Sequence, residues 1–121
     1  MSTQEFDFKK NNSFGKRKLN SNRIRDKYPD RIPIIVEKDK KSRNLNNIDK
    51  NKYLVPYELT LGQFLHIIRQ RTKIDPSQAI YLFCGETLPP TSQSIGNIYQ
   101  EQKDEDGFLY IIYCAENTFG Y

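Results

Sequence analysis

Apolar positions along the chain repeat with two different periods, and each period marks a different kind of element. Leu61, Phe64, Leu65 and Ile68 fall at i, i+3, i+4 and i+7, which predicts an amphipathic helix running to about Arg71. Thr60-Leu-Gly-Gln63 has the spacing of a capping box, in which the Thr60 hydroxyl and the Gln63 side chain satisfy each other's backbone amides. Ile32-Pro-Ile-Ile-Val-Glu-Lys38 is short, β-branched and apolar, so it reads as a strand, with Pro33 suited to a strand start or an edge. Asn51-Lys-Tyr-Leu-Val-Pro56 reads as a second strand closed by Pro56. Ala79-Ile-Tyr-Leu-Phe-Cys84 is a buried strand broken at Gly85, and Phe108-Leu-Tyr-Ile-Ile-Tyr113 is the last and most apolar strand. Ile95, Ile98 and Tyr99 suggest a short helix between those two.

The first half is less periodic. Residues 1–13 show no usable pattern and read as a mobile or weakly helical lead. From Phe14 to Tyr28 the apolar Phe14, Ile24 and Tyr28 sit at spacings compatible with one helical face, and Pro29 ends that helix. Residues 39–50 and the acidic run Asp104-Glu-Asp-Gly107 have turn chemistry. The order strand, strand, long helix, strand, short helix, strand fits an α+β roll of the β-grasp kind.

Composition adds an asymmetry. The chain has 121 residues and net charge +4, but residues 1–52 carry +8 and residues 53–121 carry −4. The basic half raises the prior for an anionic partner without choosing one. Lys16-Arg-Lys18, Arg23, Arg25, Lys27 and Arg31 could meet nucleic-acid phosphates, yet a basic helix face is more often simply solvated, and the segment's aromatics sit at core-compatible spacing. No nucleic-acid partner is therefore expected. No apolar run approaches the roughly 20 residues of a membrane-spanning helix, and residues 1–8 lack the pattern of a signal peptide. That places the chain in a reducing compartment, with Cys84 and Cys114 as free thiols. Two cysteines and one histidine make no zinc site.

Catalysis finds no support. His66 lies off the apolar face of its helix, and both cysteines end apolar strands, where they act as small hydrophobes. No nucleophile and base arrangement, phosphate-binding glycine loop or metal-ligand spacing is visible. One terminal feature stands out. Gly120 followed by the single Tyr121 ends a β-grasp domain, and glycine lets an extended tail thread a narrow enzyme channel.

Lys27-Tyr-Pro-Asp-Arg-Ile-Pro-Ile-Ile-Val-Glu-Lys38, Asp49-Lys-Asn-Lys-Tyr-Leu-Val-Pro56, Leu59-Thr-Leu-Gly-Gln-Phe64, Leu88-Pro-Pro-Thr-Ser92 and Glu116-Asn-Thr-Phe-Gly120 closely resemble the autophagy-related ubiquitin-like family that includes GABARAP and the microtubule-associated light chains. The resemblance runs from about Phe14 to Tyr121. It implies a ubiquitin-like β-grasp with two additional N-terminal helices, divided as an N-terminal helical extension (1–28), a ubiquitin-like domain (29–116) and a tail (117–121). It further implies a monomer that is not an enzyme and needs no cofactor. A cysteine protease would remove Tyr121, and activating and conjugating enzymes would pass Gly120 to phosphatidylethanolamine. The protein would then be cytoplasmic when free and peripheral on autophagosomal membranes when lipidated. The alternative is an adaptor of the same fold in membrane trafficking that is never lipidated.

The resemblance also implies a groove for partner motifs, an aromatic residue followed three positions on by an aliphatic one, with acidic flanks, as carried by cargo receptors. Ile24, Pro33, Ile35, Lys52, Leu54 and Phe108 would surround the aromatic side chain. Tyr53, Val55, Pro56, Leu59, Phe64, Ile67 and Arg71 would surround the aliphatic one, with Phe64 and Val55 shared with the core. Arg31, Lys50 and Lys52 would meet the acidic flank. Tyr81, Leu82 and Phe83 would form a second surface, for helical ubiquitin-interacting-type motifs or the processing protease. Asn20 stands where many members carry an acidic residue.

Overall fold

The computed structural model describes residues 4–115. Its elements are α1 (Asp7–Asn11), α2 (Phe14–Lys27), β1 (Arg31–Lys38), β2 (Lys52–Pro56), α3 (Leu61–Thr72), β3 (Ile80–Phe83), α4 (Ile95–Gln102) and β4 (Leu109–Ala115). The strands form one sheet in the order β2-β1-β4-β3. β1 and β4 run parallel at its centre, and each outer strand is antiparallel to its neighbour. The late strand is thus central, as the β-grasp order requires.

Strand alternation divides the apolar residues between two faces. Ile32, Ile34 and Val36 of β1 and Leu109, Ile111 and Tyr113 of β4 face the main core, where Leu61, Phe64 and Ile68 of α3 and Ile95 and Ile98 of α4 cover them. The capping box expected at Thr60 and Gln63 is formed, so α3 starts where the sequence placed it. The opposite face carries Ile35, Phe108, Tyr110 and Ile112, covered by Phe6 and Phe8 and by Ile24 of α2.

One sequence expectation is narrowed and two need correction. First, the lead, read as mobile or weakly helical, is helical: α1, too short to persist alone, is held by tertiary contacts. Both oxygens of Glu37 accept from its first amides, Asp7 N at 2.9 Å and Phe8 N at 3.0 Å, a carboxylate set against a helix start. Phe6 and Phe8 meet Tyr110 and Phe108 edge to face, with ring centroids 4.8 and 5.4 Å apart. Second, Phe14 and Tyr28 do not join Ile24 in the core. They are 47% and 38% exposed and lie beside the cations of Arg17 and Lys27, because α2 docks through Ser21 and Ile24 instead. Third, Pro33 sits in an interior strand. It pairs with Leu54 at a position without ladder bonds to β2, and pairing with β4 begins only at Ile34, so its missing donor costs nothing.

Docking of α2 is polar. Asp106, fully buried in the turn before β4, pairs with Arg17 at 2.5 Å, accepts from the Tyr110 hydroxyl at 2.5 Å and from Phe108 N at 2.9 Å. The buried Ser21 hydroxyl donates to the Asp106 carbonyl, and Lys9 pairs with Asp104 at 2.6 Å. Gly107 makes this approach possible: its φ is +93°, and an added Cβ would stand 2.9 Å from Ser21 Cβ. Gly107→Ala is expected to destabilise the fold by about 2 kcal/mol, read as a lower urea midpoint. An unchanged midpoint would mean that α2 tolerates displacement.

Cys84 and Cys114 are buried free thiols, and His66 is exposed on α3. Burial pushes the Cys84 thiol from 9.0 up to about 12, and burial likewise raises the Tyr110 and Tyr113 phenols above 10.0. Because the folded values lie above the unfolded ones, their contribution is complete below about pH 9 and is lost as pH rises through the folded values. Urea midpoints are therefore expected to hold steady from about pH 7 to 8.5 and to fall above about pH 9, less steeply in Cys84→Ala. A flat alkaline limb would contradict the burial of these groups.

Candidate functional site: the free edge of the sheet

Among the described residues β2 has a single neighbouring strand, so its outer edge carries backbone groups unpaired within them. The register says whose they are. Val36 N donates to Asn51 O at 2.8 Å and Tyr57 N to Asp30 O at 3.1 Å, which makes 36/51, 34/53, 32/55 and 30/57 the bonded pairs. The intervening residues Lys52 and Leu54 therefore point their N–H and C=O groups away from β1, into the open edge.

Side chains of the same strand alternate between the sheet's two faces. Lys52, Leu54 and Pro56 lie on the face of Arg31, Pro33 and Ile35, their register partners. Phe108 and Ile24 belong to the cluster on this face, and Lys52 Nζ stands 5.7 Å above the ring of Phe8. Leu54 and Ile24 are half-buried, while Arg31 and Pro56 are exposed. Tyr53 and Val55 point to the α3 face, with Phe64 in the main core and Leu59 and Ile67 half-buried against it. Arg71 and Lys50 are exposed at that rim, Arg71 reaching Asp49 at 3.4 Å and Lys50 lying 5.4 Å from the Tyr53 ring.

Tyr53 is the pivot of the second set. Its ring meets Phe64 edge to face at 5.5 Å, it is 8% exposed, and its hydroxyl is buried with no hydrogen-bond partner among the described residues. Burial raises its pKa, and the neighbouring Arg71 only partly offsets this. The structure thus brings the fifteen expected groove residues to one edge, in two sets on opposite faces. Phe64, Ile35 and Phe108, with no exposed surface, and Val55, 6% exposed, act as walls from behind. At the second surface, Leu82 turns inward to the main core, because alternation sends Tyr81 and Phe83 to the other face. Tyr81 is half-buried and Phe83 is 9% exposed.

The family described as "Autophagy protein Atg8 ubiquitin like" matches residues 16–120. The chain belongs to the Atg8 family. It is 57% identical over 113 residues to "Autophagy-related protein 8e" of Arabidopsis thaliana, covering 93% of this chain and 92% of that one. To "Autophagy-related protein 8" of Schizosaccharomyces pombe it is 58% identical over 113 residues, 93% of each. The crystal structure of Trypanosoma brucei ATG8 superposes with a TM-score of 0.87 at 36% identity, covering 93% of this chain and 97% of that one. The fold is ubiquitin-like, and the protein is an autophagy protein of the Atg8 family.

In this Atg8-family chain, sequence reasoning overlooked Phe8, whose ring backs Phe108 and underlies Lys52. Its only signal was the Phe6 and Phe8 pair at strand-like spacing in a polar lead. Asp106 was also read only as turn chemistry, although it holds α2, and with it Ile24, beside the edge. Gly120 and Tyr121 lie outside the described residues.

Proposed function

We propose that this chain is a non-enzymatic modifier and adaptor of autophagy that adds partner segments as a strand on β2. The observation that carries this reading is the free edge at Lys52 and Leu54, flanked by apolar sets on opposite faces of the sheet. An added strand is held by backbone bonds, and side-chain pockets give it specificity. Residues three apart in a strand point to opposite faces. An aromatic residue and an aliphatic one at that spacing reach the two sets at once: the half-buried Ile24 and Leu54, backed by the buried Phe108, for the aromatic, and the Tyr53, Leu59 and Ile67 set for the aliphatic. Arg31, Lys50 and Lys52 supply positive charge for acidic flanks, which suits cargo receptors. Tyr81 offers the accessible part of a second docking surface.

The same reading assigns the tail its role. A cysteine protease removes Tyr121, and activating and conjugating enzymes pass the Gly120 carboxyl through thioesters to the amine of phosphatidylethanolamine. Membership of the Atg8 family, whose match includes Gly120, supports this assignment. Among the described residues no helix is long and apolar enough to cross a membrane. An acyl anchor on Gly120 would supply the attachment. At about 0.8 kcal/mol per buried CH₂, two acyl chains hold stably where one is marginal. Attachment would place the protein on autophagosomal membranes.

Intact-mass measurement of the protein from starved cells tests the conjugation. The expected species has lost Tyr121 and gained phosphatidylethanolamine on Gly120. Retention of Tyr121 with no lipid adduct would leave only a non-lipidated adaptor.

A further inference from the structure

The last strand and the loop after β1 end side by side. Asp39 N donates to Tyr113 O at 2.9 Å, and Ala115 N donates to the Ser42 hydroxyl at 3.0 Å. Residues 39–45 therefore stand at the root of the tail that carries Gly120. The loop is firmly built. Ser42 N donates to Asp39 O and Leu45 N to Ser42 O, Lys38 Nζ donates to Leu45 O at 3.1 Å, and the Asn46 amide donates to Thr72 O at 2.8 Å. Leu45 itself belongs to the main core.

With Ser42 and Leu45 turned inward, Lys41 and Arg43 are left exposed on either side of the serine. Neither makes an ion pair among the described residues, unlike Lys40, which reaches Asp7 at 3.3 Å. Asp39 is the only acidic residue in 39–48, and it is 4% exposed. A third cation adjoins the loop. Lys73, the exposed cap residue of α3, lines one small hollow with Asn44 and Asn46. Asp75 lines it too, but its carboxylate is taken up by Ser77, whose amide and hydroxyl both donate to it at 2.8 Å. None of the three cations belongs to the groove.

We propose that Lys41, Arg43 and Lys73 form a headgroup contact, on which this end of the sheet rests against an anionic lipid surface once the chain is anchored through Gly120. The inference rests on attachment at Gly120 and deepens that reading by saying which side of the protein meets the membrane. Covalent reach selects a lipid surface as the occupant. Gly120 is the fifth residue after Ala115, so its Cα lies within about 18 Å of the Ala115 Cα whatever path the tail takes. Anchoring there holds the bilayer within reach of the cations beside Ala115, where a negative surface attracts them within a Debye length of about 8 Å. The contact also leaves the groove open: β2 starts at this end and runs away from it, antiparallel to β1.

Tryptophan fluorescence tests this, since the sequence has no tryptophan. The full chain carrying Asn44→Trp, on the exposed loop, and Tyr121→Cys is coupled through the new thiol to maleimide-phosphatidylethanolamine in vesicles. Both native thiols are buried, and burial pushes Cys84 up to about 12, so coupling is confined to the tail. A nitroxide on the choline headgroup of a minor lipid then quenches a tryptophan that touches the surface. Quenching is expected to be about twofold stronger in vesicles with phosphatidylserine than in phosphatidylcholine alone, and to fade in high salt. Lys41→Glu with Arg43→Glu should remove that increment. Melting temperature should stay unchanged, as should affinity for a core peptide, one carrying only the acid-flanked aromatic-x-x-aliphatic motif. Equal quenching in the two kinds of vesicle, or in the parent and charge-reversed chains, would overturn the contact and leave attachment standing. If charge reversal left quenching intact but slowed enzymatic conjugation, the loop would meet a conjugating enzyme and the lipid contact would be wrong. Because the anchor is chemical, these results do not depend on conjugation in cells. Absence of a lipid adduct by intact mass would instead overturn the attachment reading, and this inference with it.

Discussion

Asp106→Ala is expected to cost about 3 kcal/mol of stability and to weaken motif binding with it, although Asp106 lies outside the groove. Four groups converge on this one residue. Its carboxylate, with no exposed surface, accepts from Arg17, Tyr110 and the amide of Phe108, and its carbonyl accepts from Ser21. Alanine removes the carboxylate and leaves the Tyr110 hydroxyl and the Phe108 amide without their acceptor in a buried site, a larger penalty than the loss of a hydrogen bond in water. Arg17 keeps some freedom, since its side chain retains 11% of its surface and can turn toward solvent. That places the cost at the low end of the range for broken buried pairs. Set against total stabilities of about 5–15 kcal/mol, the loss should appear as a clear drop in the urea midpoint. Released α2 no longer fixes Ile24 against the cluster on that face of the sheet, so binding falls as well. A stability change under about 1 kcal/mol would mean that the cluster is solvated in solution.

Leu54→Asp should abolish motif binding, a loss of about 100-fold or more, with the fold intact. Leu54 is half-buried on the open face of an edge strand, so a carboxylate there stays hydrated in the free protein. In the complex it would be desolvated against an aromatic ring, and it would repel an acidic flank. Calorimetry against a core peptide gives the loss, and an unchanged melting temperature separates it from unfolding. The neighbouring Tyr53→Ala would be a poorer probe. With Tyr53 8% exposed and its ring on Phe64, that change empties core volume and costs about 3–5 kcal/mol by itself. Wild-type affinity in Leu54→Asp would remove the β2 edge from the proposed function.

How far the sequence carried depended on whether a residue's partners were near in the chain. α3 was legible because its cap and apolar face are local: Thr60 and Gln63 serve each other, and Leu61, Phe64 and Ile68 repeat within three turns. β4 was legible because it is covered on both faces and so reads as an unbroken apolar run. α1 was legible only as a weakly helical lead, since its stability comes from Glu37 and from the rings of Tyr110 and Phe108, far away in sequence. Phe14 and Tyr28 misled for the opposite reason: helical spacing said one face, while the docking face of α2 is set by Ser21 and a distant aspartate. The groove residues came from resemblance rather than from pattern. Alternation along Lys52–Pro56 could nevertheless have shown that neighbouring members face opposite ways.

The ties between the N-terminal helices and the turn before β4 span 95 residues from Lys9 to Asp104 and 89 from Arg17 to Asp106. Central β1 likewise waits for β4 as its parallel partner. Contacts of such long range form late, because loop closure must precede any gain from them. During synthesis the hairpin of β1 and β2 can form early, but α1 and α2 have nothing to dock on until nearly the whole chain has left the ribosome. An incomplete nascent chain therefore presents half of the proposed groove, and under that proposal competence to bind a partner arrives together with the C-terminal strand.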